Sequence, residues 1–359
     1  PCKVDSFPDI EGIVARYSAS GLTNEQMAAN PVWVDKTGNG HDLQLKNFAW
    51  KGMSGVGGYV ADIDEWGTNS TAAYFERNSI KITATFKENV SLGLLYHNIK
   101  LRQSCVLKVT GIPEGCDAFL DDRLGNRFYM SEDGVYEIIP SNFLAEALYF
   151  SIEKYPERWY GSKLTIEQLP LYPGALVFDG VDDYGVCDNF PILTKEKGYT
   201  VVALRQWITR GEIAQGLVSN VKNWLKDGAF LLEYRNIQAE HLNKPISFGA
   251  IGSENDLPHI LTYQTSKSYN GVSITTGNFE GTDVLHVGKL APTNVGTCIN
   301  AAIWELVFLD HDATEEELTK IKDYFVKTYP WLFPDQAWTV TGKTNEDEDR
   351  ATIANITGN

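Results

Sequence analysis

Short runs of alternating apolar and polar residues, each soon stopped by glycine, proline, asparagine or aspartate, recur along almost this entire chain and constrain it toward β-structure. In the C-terminal half they cover 175–178, 184–187, 199–207, 214–219, 229–234, 246–251, 260–265, 272–275, 284–287 and 299–309. Alternation places successive side chains on opposite faces of a strand, and many short strands separated by turn residues predict two packed antiparallel sheets. The aromatic content supports this, because the 16 Phe, 17 Tyr and 9 Trp pack well on a pleated surface. At 359 residues the chain is long enough for two or three domains.

The N-terminal part begins with a strand pattern at 13–17. It then turns through Thr37-Gly38-Asn39-Gly40-His41-Asp42, where Asn39-Gly40 tolerates positive φ, and resumes at 43–45. A glycine-rich loop follows at 52–58. Between 80 and 170 the texture changes to alternating runs at 80–86, 106–110, 135–139 and 164–167, separated by Ile112-Pro113-Glu114-Gly115 and Glu132-Asp133-Gly134. Pro170, Pro173 and Gly174 close this stretch. One helix is predicted near the C-terminus. Thr314 and Glu317 form a capping box, Leu318, Ile321, Tyr324 and Phe325 make an apolar face, and Pro330 ends the helix before Tyr329. The expected organisation is a discontinuous sandwich domain over 9–80 and 174–332, an inserted small β domain over 81–173, and a separate segment over 333–359.

That last segment repeats the opening of the chain. Phe7-Pro8-Asp9, Gly21, Thr23-Asn24-Glu25 and Thr37-Gly38-Asn39 recur in order as Phe333-Pro334-Asp335, Gly342, Thr344-Asn345-Glu346 and Thr357-Gly358-Asn359, ten identities in all. Repetition of a large module suits a long fibre or adhesin better than an enzyme. Residues 333–359 are therefore read as the start of a following repeat or a linker. Pro1, where translation would place Met, suggests a processed chain or a piece of a longer one.

A formal charge of −16 sets up a field that repels phosphate backbones and anionic lipid, so neither nucleic acid nor a membrane surface is an expected partner. No apolar run approaches the roughly 20 residues of a spanning helix, so membrane insertion is not expected either. The five cysteines have no framework spacing and read mainly as small buried hydrophobes, although Cys105 and Cys116 could pair across a hairpin.

The run Ala175-Leu176-Val177-Phe178-Asp179-Gly180-Val181-Asp182-Asp183-Tyr184, then Gly198-Tyr199-Thr200-Val201 and the late strand with its capped helix, resembles concanavalin A-like, laminin-G-like jelly-roll domains. Asp35-Lys36-Thr37-Gly38-Asn39-Gly40-His41 is similar to a turn common near the N-termini of such domains. Segments 24–31, 47–55 and 179–184 also resemble large phage and prophage proteins of gut bacteria, a group that includes virion tail and fibre components. The resemblance implies an all-β, concanavalin A-like antiparallel sandwich. It further implies a virion or extracellular location, with other copies or modules of the same assembly and bacterial surface glycans as partners.

Glycoside hydrolases of this architecture carry a Glu-x-Asp-x-x-Glu strand, because acid and nucleophile must stand about 5 Å apart. That motif is absent from the sequence, as are nucleophile-elbow, phosphate-loop and dinucleotide motifs. The acidic runs 62–65 and 346–349 read as solvated loops. No catalytic residue is assigned. Asp179, Asp182, Asp183 and Asp188 are the candidate ligands for Ca²⁺, which takes several hard oxygens. The alternative is that Asp179-Gly180 only makes a turn while Phe178 and Tyr184 pack inward. For glycans, stacking calls for exposed rings in polar surroundings. Trp66 with Asn69, Trp159 with Tyr160, and Trp224 are the candidates, against the alternative of buried packing. Trp207 and Trp304 are expected in the core. The leading expectation is a non-enzymatic, glycan-binding structural module. A hydrolase with an unrecognised carboxylate pair and a purely architectural module stand as alternatives.

Overall fold

The computed structural model describes residues 7–333 apart from 61–62, 69, 89–93, 102, 146, 195, 210–214, 221–230, 235–260, 270–271, 274–281 and 290–297. The strand expected at 246–251 and the repeated segment from 334 onward lie outside the described residues. The chain divides into two compact units. One takes Pro1–Ser20, Pro31–Asn47 and Phe178–Asn359, and the other takes Gly21–Asn30 and Phe48–Val177.

The first unit is built on two sheets. In one, the strands run Val272–Ser273, Ser268–Tyr269, Leu261–Thr265, Thr200–Trp207 and Asn300–Leu309, with Ile13–Ser18 also paired to Asn300–Leu309. The other runs Leu231–Tyr234, Gln215–Ser219, Leu285–Val287, Tyr184–Cys187, Leu43–Lys46 and Val32–Trp33. The pairings are antiparallel, with Tyr17 opposite Leu306 and Gly185 opposite Leu45. Leu43–Lys46 alternates buried and exposed, while Asn300–Leu309 is buried along nearly its whole length, as a central strand covered on both faces should be. Tyr17 lies 5.7 Å from Trp33 and 6.1 Å from Phe308, whose ring meets Phe190 at 5.1 Å. Trp304 is buried as expected, whereas Trp207 is only half-buried.

Asp35 builds the Asp-Lys-Thr-Gly-Asn-Gly-His turn. Its Oδ1 accepts from the backbone N–H of Arg16 and Thr37, each at 3.0 Å, and its Oδ2 accepts from that of His41 at 3.4 Å. A buried carboxylate satisfied in this way holds the turn in place.

The second unit is a sandwich of its own. One sheet orders Arg127–Met130, Asp117–Asp121, Ala147–Glu153, Leu94–Lys100 and Gly67–Thr68, and the other orders Gly134–Ile138, Cys105–Thr110, Lys163–Leu169, Lys81–Phe86 and Ala73–Arg77. Ile82, Phe86, Leu107, Val109, Leu120, Phe150, Ile152 and Ile166 fill the space between them. This unit reaches further back than the 81–173 expected for an insert, because Ala73–Arg77 pairs with Lys81–Phe86 and Gly67–Thr68 pairs with Leu94–Lys100. Cys105 and Cys116 are both buried free thiols, and burial pushes the Cys105 thiol up to about 12.

Three helices occur among the described residues: α1 (Asn24–Ala29), α2 (Pro156–Trp159) and α3 (Glu315–Thr328). The sequence predicts α3 with its capping box. Thr314 Oγ1 accepts from the Glu317 N–H at 3.2 Å, and Glu317 Oε2 accepts from the Thr314 N–H at 2.8 Å. The single helix expected is corrected by α1 and α2. They are one turn or little more, too short for an apolar period to register. No helix among the described residues is long and apolar enough to cross a membrane.

Candidate functional site

The strand Leu176–Asp179 runs into Gly180-Val181-Asp182-Asp183, and the chain continues as Tyr184–Cys187 in the six-stranded sheet rather than pairing back as a hairpin. Phe178 is buried and anchors the corner from below. A Cβ on Gly288 would lie 2.6 Å from the Phe178 ring, so only glycine admits the ring there. Gly180 has φ +83°, and a Cβ on it would come within 2.9 Å of the Asn300 Cβ. Both close approaches require glycine.

The aspartates organise the corner. Asp179 Oδ1 accepts from the Val181 N–H at 2.8 Å, and Asp183 Oδ2 accepts from the Asp179 N–H at 3.0 Å. The Asn47 side-chain amide donates to the Asp182 carbonyl at 3.1 Å. Asp183 is fully buried, Asp179 half-buried and Asp182 exposed, and carboxylate oxygens of the three lie within 4.8 Å of one another. Their chemistry, hard anionic oxygen at one point, fits Ca²⁺, but three carboxylates fall short of the six to eight oxygens the ion takes, so water or carbonyl groups would complete the shell. Asp179, Asp182 and Asp183 are the residues that would hold it.

Asp188 does not join them. It stands exposed beyond the far end of the Tyr184–Cys187 strand, and five extended residues span about 16 Å, so it is removed from the candidate ligand set. Three neighbours were not legible from sequence spacing: Asn47, Lys289 and Cys298. Burial raises the Cys298 thiol to about 11; Lys289 opposes this, while Asp182, Asp183 and Asp179 reinforce it. The Lys289 ammonium lies 4.7 Å from the centre of the Tyr184 ring. Only the tertiary fold brings these groups to the corner, and no local pattern announces them.

The aromatic platforms are corrected. Trp66 is 3% exposed, with its ring 6.0 Å from that of Tyr96, and Trp159 is fully buried 5.0 Å from Phe86. Trp159 Nε1 donates to the Glu153 carbonyl at 3.4 Å. Both indoles belong to the core of the second unit, where a sugar cannot reach them, because the sandwich interior is the larger apolar surface available to them. Tyr160, at the C-terminal end of α2, stays half-buried. Asn69, Trp224 and Asp62 lie outside the described residues.

Comparison with protein-family models and with curated proteins finds no match to this chain.

Proposed function

We propose that this chain is a non-enzymatic module of a virion fibre or tail assembly, a concanavalin A-like, laminin-G-like jelly roll that meets bacterial surface glycans. The observation that carries the reading is the build of the first unit. A strand ending in the rigid Asp179-Gly180 corner, a central antiparallel pair of Thr200–Trp207 and Asn300–Leu309, and a last strand handing over to capped α3 follow the order that the jelly-roll resemblance implies. The second unit adds an independent sandwich core, which suits a load-bearing module. The strong negative charge favours partners other than nucleic acid or anionic lipid.

The test displays the full chain multivalently on arrayed bacterial polysaccharides, so that avidity amplifies weak sites. Each bound glycan is then incubated with the chain and assayed for new reducing ends. Binding without release supports the reading. Release of reducing ends overturns its non-enzymatic part in favour of a hydrolase, and no binding at high valency overturns its glycan part and leaves an architectural module.

A further inference from the structure

The strand Asp117–Asp121 is buried at all five positions, although only Ala118 and Leu120 belong to the core between the two sheets of the second unit. Asp117, Phe119 and Asp121 alternate onto the opposite face. Across that face the register sets Phe119 between Tyr129 and Ser151, Asp121 between Arg127 and Tyr149, and Asp117 beside Glu153.

Side chains from the neighbouring strands are arranged over this row. The Arg127 guanidinium lies 4.6 Å from the Phe119 ring centre and donates through Nη1 to the Tyr129 hydroxyl at 3.2 Å. It also stands 3.6 Å from Asp121 Oδ2 and 3.5 Å from Glu153 Oε2. Lys154 pairs with Asp117, and Arg123 lies 4.2 Å from the Tyr149 ring centre. Tyr129 itself, on the strand that ends this sheet, is 45% exposed and tilted 36° to Phe119 at 5.4 Å.

Two further observations point to a ligand. Asp121 is only 9% exposed, and its Oδ1 has no hydrogen-bond partner among the described residues, although a buried carboxylate oxygen normally has one. Arg123 and Lys154, whose side chains close the two ends of the face, have φ of +55° and +64°, left-handed values that residues with a Cβ rarely adopt.

We propose that this face binds a neutral carbohydrate, with Tyr129 stacking on a pyranose ring while Arg127, Asp121 and Glu153 pair with its hydroxyls. The inference rests on the glycan-binding reading above and gives it a site. The charges on the face decide the ligand class. Arg123, Arg127 and Lys154 balance Asp117, Asp121 and Glu153, so an anion meets three carboxylates and a cation meets three bases. A sugar hydroxyl is both donor and acceptor, and it satisfies a guanidinium on one side and a carboxylate on the other. The ring's C–H face supplies the apolar contact for Tyr129.

Isothermal titration of the full chain with neutral gluco-, galacto- and manno-oligosaccharides, and with polygalacturonate as the charged control, tests this. Binding to at least one neutral probe is expected. Tyr129→Ala should weaken it about tenfold, a loss of ~1.4 kcal/mol, Asp121→Asn should weaken it by a comparable factor, and Tyr74→Ala, an exposed ring on the other sheet, should leave it unchanged. Thermal melting confirms folding, and the exposed Tyr129 carries the test if Asp121→Asn fails to fold. Wild-type binding that both variants retain overturns this site and leaves the glycan reading intact. A preference for polygalacturonate overturns the neutral class, and the absence of binding to every probe overturns this site, while the glycan reading itself falls only if the multivalent array is also silent.

Discussion

His286 shows how a single residue can set a pH dependence that its sequence context hides. It sits on the Leu285–Val287 strand opposite Val186 and Ser219 and is 3% exposed. Burial, helped by Lys289 and opposed by Asp188, pushes its imidazole down to about 4. An unfolded histidine titrates near ~6.5, so between that value and 4 the unfolded chain takes up a proton that the folded chain refuses. The stabilisation is complete above pH ~6.5 and is lost as the pH falls toward 4, by up to about 3 kcal/mol. Urea unfolding across this window should show a steeper loss for the wild type than for His286→Leu, and identical slopes would refute the assignment. The sequence offers six scattered histidines and no means of choosing among them, because burial is a property of the folded sheet. The acidic corner was more legible: Asp179, Asp182 and Asp183 are sequence neighbours and a turn brings them together, whereas the extended Tyr184–Cys187 strand carries Asp188 away from them. Ca²⁺ should raise the melting temperature of the chain, by about 2.7 kcal/mol of stability at a hundredfold excess over Kd. Asp182→Asn should remove most of that gain, and a wild-type melting curve indifferent to Ca²⁺ sinks the cation site.

At the scale of elements, strands and the capped helix were readable because each follows from a local pattern, but the contact that ties them together was not. Alternation along Ile13–Ser18 marks Arg16 and Ser18 as outward-facing, yet both are buried. Arg16 meets both Glu305 oxygens at 3.2 and 3.3 Å and donates to the Tyr324 hydroxyl of α3 at 2.7 Å. The Tyr329 hydroxyl donates to Glu305 at 2.8 Å, and the Phe7 ring lies 4.1 Å from the Arg16 guanidinium. Burial drives the Glu305 carboxyl upward, while Arg16, Tyr329 and Ser18 pull it back. Removing one member of a buried pair strands the other charge, so Glu305→Gln should destabilise by about 3–5 kcal/mol in chemical denaturation. The double variant Arg16→Met with Glu305→Met should recover much of that loss, since apolar residues of similar volume replace such pairs with little penalty. A double variant as unstable as the single one would show that the ions do more than satisfy each other. Thr314→Ala, at the cap, should lower stability by about 1 kcal/mol.

For the whole molecule, an all-β chain with two cores was legible from turn spacing, while the division between the cores was not. A boundary at 80 follows the change of texture, but the strands at Gly67–Thr68 and Ala73–Arg77 complete the sheets of the second unit, and Gly21–Asn30 belongs to it too. Pairing partners are chosen by edges available in space, which composition does not record. Two cores make a prediction that a single one would not. Asp122 lies wholly in the second unit. Burial alone would raise its carboxyl, but the Leu144 N–H, the Asn126 side chain and the Leu124 and Asn126 N–H groups, at 2.6 to 3.0 Å, hold it well below the usual carboxylate range. Its stabilisation is therefore present above pH ~3.9 and is lost as the pH falls through the depressed folded value. In scanning calorimetry at neutral pH, Asp122→Asn should lower one transition and Glu305→Gln the other, each leaving its counterpart in place. The gap between Asp122→Asn and wild type should narrow as the scan buffer is taken from pH ~3.9 toward pH 2, because the unfolded carboxyl takes up a proton that the native one still refuses. One shared transition displaced by both substitutions would mean that the two cores unfold as one cooperative body, and that the chain is a single mechanical block rather than a pair.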